Sequence, residues 1–446
     1  MEVYGIDLAS IFGATATTGS KRCQNRSILS DPCTRVADML VATLAAVTTI
    51  ALGAFSVRRL VLVGAAWSRS RAEQGFPAEL PSMTLLVAAR DEAETIDETL
   101  AALEKIEYPP GQLFIAFIDD ASMDETRSHL ERWVKNRPRT AVLALPERRG
   151  KSAALRAGLN AAPRAELIAV CDADLRPRPQ SLRILAEAFR DENVGAVVPF
   201  LWPENALQSG VASYAAVESW LHQLVTSAGK NRLGLNPATN GGTLYRRSAL
   251  DEAGGFPQVY SGEDVWLATA LTRGGWQIRF IPEAVIDNTV VQSWKDYWRQ
   301  HLRWSRNLLS SSSARGGAPE QAISILQRAE LWMQSAGYAD RLAMVGALIF
   351  AVLGRIPFWI PLLYGLIIAA QLVTAVTMAG AGSRTFRFLA WSGAFYAVDV
   401  AATAASVVLH MLRRPRSWNR AARNRPESQS ISAASPADLA VDMGAE

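Results

Sequence analysis

Two long apolar stretches bracket a region where short apolar runs alternate with helical spacing. Met39 to Val57 holds 19 residues without a charge, enough at ~1.5 Å per residue to cross a hydrocarbon core of ~30 Å. Arg58 and Arg59 are expected to stop it. The run begins too late and is too long for a cleaved leader. A second apolar zone covers Leu342 to Leu412. Ile356 to Gly380 forms one run of 25 residues, and Phe388 to Leu412 another, interrupted only by Asp399. Leu342 to Leu353 is too short to cross alone, and Arg355 and Pro357 break it. A carboxylate inside a span is costly. Asp399 is therefore expected to have a function, a partner such as Ser392 or Thr403 on its own helix, or a route to the headgroups.

Between these zones the period changes. Thr84 to Ala89 is a short apolar run and reads as a buried strand. Glu92 to Ile106 repeats apolar residues at helical spacing through Ile96, Leu100 and Leu103. Strands are expected again at Leu113–Ile118, Thr140–Leu145 and Leu167–Cys171, with helices at Asp124–Val134 and Lys151–Ala161. This alternation predicts an α/β domain with a mostly parallel sheet covered on both faces. The predicted organisation is an unassigned segment 1–38, a membrane helix and linker 39–67, a catalytic domain 82–292, amphipathic interface helices 293–340, a membrane region 341–412 and a polar tail 413–446. That tail is expected to be disordered.

Composition supports the membrane reading. The 446-residue chain is 49% hydrophobic, and its mean hydropathy of +0.07 is high for a purely soluble protein. The net charge of +4 calls for no nucleic-acid partner, because basic residues flanking spans produce the same balance. Arg413, Arg414, Arg416 and Arg420 stay on the inner side if two spans follow the catalytic domain, and would be exported if three did. The positive-inside tendency favours two. The cysteines Cys23, Cys33 and Cys171 make neither a disulfide framework nor a zinc spacing. Cys23 and Cys33 can pair if the N-terminus lies outside the cytoplasm.

The candidate chemistry lies at strand ends, where open α/β sheets bind ligands. Arg90, Asp91 and Glu92 follow strand one, Asp119 and Asp120 end strand two, and Asp172-Ala173-Asp174 follows strand four. Neither a Gly-x-Gly-x-x-Gly fingerprint nor a Walker loop is present. Two carboxylates separated by one small residue suit a ribose on one side and a hard divalent ion, Mg²⁺ or Mn²⁺, on the other. Adjacent acids such as Asp119 and Asp120 repel unless donors meet them, and a nucleotide supplies donors. Lys151 stands at a helix start, where the dipole disfavours a cation. A phosphate would compensate; a solvated basic turn is the bland alternative. Glu263-Asp264 opens another helix, either as ordinary helix-start acids or as the base that takes an acceptor proton. Gln300, Arg303 and Trp304 lie on a helix predicted from Ser293 to about Leu308. Its Lys295/Arg299/Arg303/Arg306 stripe and its Trp294/Trp298/Leu302 face fit a helix lying in the membrane interface. A guanidinium for a diphosphate and an indole for a sugar fit the same residues.

Taken in order, Val87-Ala-Ala-Arg-Asp-Glu92, Asp120, Asp172-Ala-Asp174, Glu263-Asp264 and Gln300-x-x-Arg303-Trp304 resemble the membrane-bound family 2 glycosyltransferases with a GT-A fold. The resemblance implies a UDP-sugar donor and an inverting, metal-dependent displacement. It implies Ala89, Arg90, Glu92, Asp120, Lys151 and Asp172 as nucleotide-sugar contacts, Asp174 as metal ligand and Asp264 as base. Glu263, Gln300, Arg303 and Trp304 would complete the catalytic set. Asp91 and Arg156 stand where the family usually has Asn, which puts nucleotide contacts in doubt. Gly262 stands where polymerising members usually have Thr. That departure, and too few spans for a polymer channel, favour a lipid acceptor over a growing glycan. The segment Trp294 to Arg303 resembles ceramide glucosyltransferase-type members. The expected setting is a bacterial inner membrane, multi-pass, with the catalytic domain in the cytoplasm. A catalytically inactive scaffold would have lost Asp264 or Asp174, and both are present. A transporter would need more spans.

Overall fold

The structure is a computed structural model and describes residues 32–68, 79–259, 262–311, 323–381, 389 and 391–412. Residues 1–31, including Cys23 of the expected cysteine pair, and the tail 413–446 lie outside the described residues. The chain divides into two units, 1–44 and 45–446. Helix α1, Pro32–Trp67, begins in the first and ends in the second. The described part of the first unit is the opening of this helix, with Val36, Met39, Leu40 and Leu44 exposed.

The second unit carries the sheet. In chain order its elements begin β1 (Met83–Ala89), α2 (Ile96–Leu103), β2 (Leu113–Asp119), α3 (Thr126–Val134), β3 (Thr140–Ala144), α4 (Lys151–Ala161), β4 (Leu167–Val170), β5 (Arg176–Pro177), α5 (Ser181–Glu187) and β6 (Val194–Pro203). Then come α6 (Gly210–Trp220), a π-helical turn Leu221–Ser227, α7 (Ala228–Arg232), β7 (Leu244–Arg246), α8 (Arg247–Glu252), α9 (Glu263–Arg273) and β8 (Gln277–Asn288). The eight strands lie in the order β3-β2-β1-β4-β7-β6-β8-β5. The first four are parallel, as the βα alternation predicts. β7 then runs antiparallel to both β4 and β6, β8 is parallel to β6, and β5 antiparallel to β8. After α6, the π-helical turn and α7, the chain enters β7 through a turn at Asn240-Gly241-Gly242, where Thr243 N–H donates to Asn240 O (3.2 Å). Alternate β1 residues feed two cores: Leu85 and Val87 on the face with Ile96, Leu100 and Leu182, and Leu86 on the face with Ile118, Leu155 and Trp220.

Helix α2 starts at Ile96, four residues later than the apolar spacing alone predicts. The intervening residues serve a loop. Asp91 adopts a left-handed φ of 52°, Glu92 N–H donates to Thr126 Oγ1 (2.7 Å), and Ala93 N–H to Asp124 Oδ2 (3.0 Å). These bonds lace the β1–α2 and β2–α3 loops together.

Among the described residues the helices that follow are α10 (Trp294–Ser311), α11 (Ile325–Ser335), α12 (Ala339–Val352), α13 (Trp359–Met378) and α14 (Ser392–Met411). Among the described residues three helices are long and apolar enough to cross a membrane: α1 from Arg35, α13 and α14. The pair α11–α12 is bent by 71° and forms a broken or re-entrant element. One face of α13 joins the domain core through Leu372, Ala375 and Val376, while Leu362, Leu363 and Leu366 stay exposed. Arg58 and Arg59 do not stop α1, contrary to the expectation. The helix runs on to Trp67 because both guanidiniums are paired inside the protein. Arg58 donates to Glu330 (2.6 and 2.8 Å), and Arg59 pairs with Asp340 (2.6 Å).

Candidate active site

The carboxyl ends of β1, β2 and β4 set the floor of the site, and the register keeps Ala89 level with Asp119. Asp120 N–H donates to Ala89 O (3.0 Å). The Asp120 carboxylate is buried and accepts from Arg149 N–H (2.6 Å) and Gly150 N–H (2.8 Å). These two backbone donors answer the repulsion between adjacent acids that the sequence raised. Arg90 donates to Asp120 O (2.6 Å), Asp91 Oδ1 accepts from Met123 N–H (2.7 Å), and Glu92 Oε2 accepts from Thr95 Oγ1 (2.9 Å). Arg156 donates to Phe256 O (2.6 Å) and so fixes α4 to the turn before α9.

Lys151, the first residue of α4, is the hub. Its Nζ lies 2.7 Å from Asp172 Oδ1 and 2.6 Å from Glu263 Oε1. Burial works against this charge, yet Asp172, Glu263 and Asp264 outweigh it and hold the ammonium well above its usual range. Two carboxylates thus offset the unfavourable helix-start position. Burial alone would raise Glu263, but Lys151 holds it below the ordinary carboxylate range. Asp264 differs. Burial first, then the Glu263 charge, push its carboxyl up to about 6, while Lys151 pulls the other way. Its Oδ1 accepts from Val265 N–H (2.8 Å), and its carbonyl accepts from Thr239 Oγ1 (2.6 Å).

Arg303 reaches the same group from α10. Burial lowers its pKa against the pull of Asp264, Asp172 and Glu263. The approach depends on Gly262, which takes φ +82° to cap α9 and abuts the Asn307 side chain of α10. A Cβ there would lie 3.1 Å from that of Asn307. The structure therefore gathers Lys151, Asp172, Glu263, Asp264 and Arg303. Ala89, Arg90, Glu92 and Asp120 form the neighbouring laced loops. Asp174 is half-buried two residues beyond Asp172, and its carbonyl accepts from Arg176 (3.3 Å). Gln300 is half-buried and Trp304 exposed on α10.

The sequence reading missed the loop Thr239–Thr243. Asp172 N–H donates to Gly241 O (3.0 Å), and a Cβ on Gly241 would meet Asp172 Oδ2 at 2.2 Å. Its Asn-Gly-Gly string was available as a turn signal. The α10 faces also need correction. The helix packs by Tyr297, His301 and Ser305, all buried, while Trp294 is 45% and Trp304 38% exposed. The Asp399 carboxylate pairs with residues of other helices, Tyr297 (3.1 Å) and Arg341 (3.2 Å), while Thr403 of its own helix donates to the Asp399 carbonyl instead (2.7 Å).

The fold is shared with a mannosyltransferase from Pyrobaculum calidifontis, solved with GDP-Man and Mn²⁺. It superposes with a TM-score of 0.59 at 21% identity, covering 83% of this chain and all of that one. Among sequence relatives, a probable glycosyltransferase of Bacillus subtilis, YdaM, is 29% identical over 51% of this chain and 55% of its own length. A beta-monoglucosyldiacylglycerol synthase of Trichormus variabilis is 30% identical over 57% and 55%. A poly-beta-1,6-N-acetyl-D-glucosamine synthase of Staphylococcus aureus is 26% identical over 51% and 55%. The chain spans about half the length of the curated relatives it matches. The family described as glycosyltransferase like family 2 matches residues 81–307, from the strand before β1's first acid loop to the end of the Arg303 turn, and the chain belongs to it.

Proposed function

We propose that the protein transfers a sugar from a UDP-sugar to a lipid hydroxyl at the cytoplasmic face of a membrane, with inversion at the anomeric carbon. The observation that carries this reading is Asp264. It is a carboxylate poised near neutrality within an otherwise cation-balanced cluster at the ligand-binding edge of the sheet. Its raised pKa suits a base that must hold a proton briefly.

In this mechanism the acceptor oxygen attacks the anomeric carbon on the face opposite the leaving diphosphate. Asp264 takes the hydroxyl proton as that bond forms, and the bond from the anomeric carbon to the diphosphate oxygen breaks to release UDP. Lys151 and Arg303 face the departing negative charge, and Arg303 suits a two-pronged grip on phosphate oxygens. Trp304 offers a flat apolar surface for a sugar ring. Asp174 suits a hard divalent ion, since a carboxylate offers the oxygen donors such ions take, and Asp172, whose Oδ1 already rests against the Lys151 ammonium, is left to the nucleotide side. Mg²⁺ or Mn²⁺ held there would offset the charge of the leaving group.

The apolar helices α1, α13 and α14 support a membrane-borne acceptor, as does the relative named for a diacylglycerol product. Membranes containing the protein are incubated with a panel of radiolabelled UDP-sugars and then extracted. Label in the organic phase is the expected result. A large water-soluble product would replace the lipid reading with polymer synthesis, and the absence of transfer from every donor would reject the proposal.

A further inference from the structure

His301 lies inside the Gln300–Trp304 segment but faces away from the acid cluster. At 3.6 residues per turn, Arg303 is rotated by about 200° from it. His301 is fully buried. Its Nδ1 lies 2.9 Å from Tyr297 O, and its Nε2 lies 3.0 and 3.1 Å from the two oxygens of Glu218 and 3.6 Å from Asp399 Oδ1. A carbonyl only accepts. The Glu218 carboxylate, within reach through both oxygens, accepts as well. Both ring nitrogens must then donate, which makes the ring an imidazolium.

The surrounding charges agree. Arg341 bridges Asp399 (3.2 Å) and Asp340 (3.1 Å), and Asp340 also holds Arg59. Three cations, His301, Arg341 and Arg59, thus face three carboxylates, Glu218, Asp399 and Asp340. A neutral imidazole would leave that group one cation short. Tyr297 and, from α13, Tyr364 donate into the same cluster, and Tyr214 on α6, His222 in the π turn, Tyr338 before α12 and Tyr396 on α14 also face it. Burial opposes the charge on His301, and Glu218 and Asp399 outweigh it. The His301 ring stacks on Tyr297 (3.9 Å between centroids) and meets Trp304 edge-on (5.0 Å).

We infer that His301 is a positioning residue: its charged ring, clamped between Glu218 of α6 and Asp399 of α14, fixes the rotation of α10 and thereby the place of Arg303 and Trp304 in the active site. This rests on the reading of Arg303 as a diphosphate-side group. The link joins the last membrane helix to the transfer site through one side chain.

Two measurements test it. In a ¹⁵N-histidine spectrum of the full-length protein in detergent, assigned with His301→Gln, His301 should keep its imidazolium signature at about pH 8, well above its ordinary range. Titration near its ordinary midpoint would overturn the clamp whatever reaction the protein catalyses. The second is a kinetic cycle. His301→Gln should lower kcat about 10- to 100-fold with little change in donor KM, the size expected of a small misplacement. The double variant His301→Gln/Arg303→Ala should be no slower than Arg303→Ala alone. Losses that multiply would show that His301 does not act through Arg303 and would overturn the inference. So would stoichiometric zinc in the purified wild-type protein that is absent from His301→Gln, because Glu218, His301 and Asp399 would then be metal ligands. Absence of transfer in the wild type would instead reject the proposed function and leave the spectroscopic result standing.

Discussion

Gly241→Ala is the sharpest probe of how the site is built. An alanine Cβ would stand 2.2 Å from Asp172 Oδ2, 2.5 Å from Cγ and 3.0 Å from Oδ1. Ordinary contact is ~3.5 Å, so the carboxylate must withdraw by about 1 Å. The loop itself is held by Asp172 N–H to Gly241 O (3.0 Å) and Val170 N–H to Thr243 O (2.9 Å). The side chain is the softer element, and it turns away from Lys151. An off-rotamer side chain costs about 0.5–1.5 kcal/mol. The Lys151–Asp172 pair, with each partner 35% exposed, adds at most about 1 kcal/mol. Stability should therefore fall by only about 1–2 kcal/mol. Transfer should fall about 100-fold, because a 1 Å error at a reacting centre has that effect. UDP binding in the presence of Mn²⁺, read by calorimetry, should weaken in parallel. Gly365→Ala serves as control, since nothing lies within 4 Å of its Cβ. A Gly241→Ala protein with normal transfer and donor affinity would refute the reasoning, as would a loss of activity that simply tracks loss of the fold.

Three other outcomes follow from the same geometry. Asp264→Asn should lower kcat by about 10²–10⁴-fold while leaving UDP binding intact; in the wild type, kcat/KM should rise with pH until the carboxyl ionises at about 6 and then level off, and near-normal turnover of the variant would remove Asp264 as base. Asp174→Ala should abolish the stimulation of donor binding by Mn²⁺, and an unchanged metal dependence in titration calorimetry would assign the ion elsewhere. Glu330→Gln should destabilise the protein by about 3–5 kcal/mol, because Lys230 and Arg58 would lose their shared buried carboxylate; an unchanged thermal midpoint in detergent would show that the pair is solvated.

The catalytic half was legible because its chemistry is local. Strands such as Leu167–Val170 are wholly apolar and end directly in acids, so the sequence places those acids at the ligand edge before any contact is known. Lys151 at the start of α4 was equally visible, although its carboxylate partners were not. Asp172 and Glu263 approach it from elsewhere in the chain, and only the sheet order brings them together. The Thr239–Thr243 loop was hidden for a different reason. Asn-Gly-Gly specifies a turn, and nothing in a turn signal says that an aspartate 69 positions earlier needs the missing Cβ. On α10 the periodicity misled: apolar spacing selected Trp294, Trp298 and Leu302, whereas burial selects Tyr297, His301 and Ser305, and the Tyr297 hydroxyl and His301 Nε2 find their partners on distant helices.

The same pairing across distant helices governs the basic residues beside the apolar helices. Charge counting treats Arg58, Arg59 and Arg341 as markers of the inner face, solvated and interchangeable. In the fold each is spent on a specific buried carboxylate: Arg58 on Glu330, Arg59 on Asp340, and Arg341 on both Asp340 and Asp399. An unpaired buried charge is far more costly than a surface one, so these contacts specify which helix faces meet and in what register. The same residues can still report orientation, but their main consequence is geometric. They tie α1, α11, α12 and α14 to one another and, through Glu218 and His301, to the helix that brings Arg303 to Asp264. A substitution in the apolar helix α14, such as Asp399→Asn, therefore reaches the same network of buried charges that holds α10 in place.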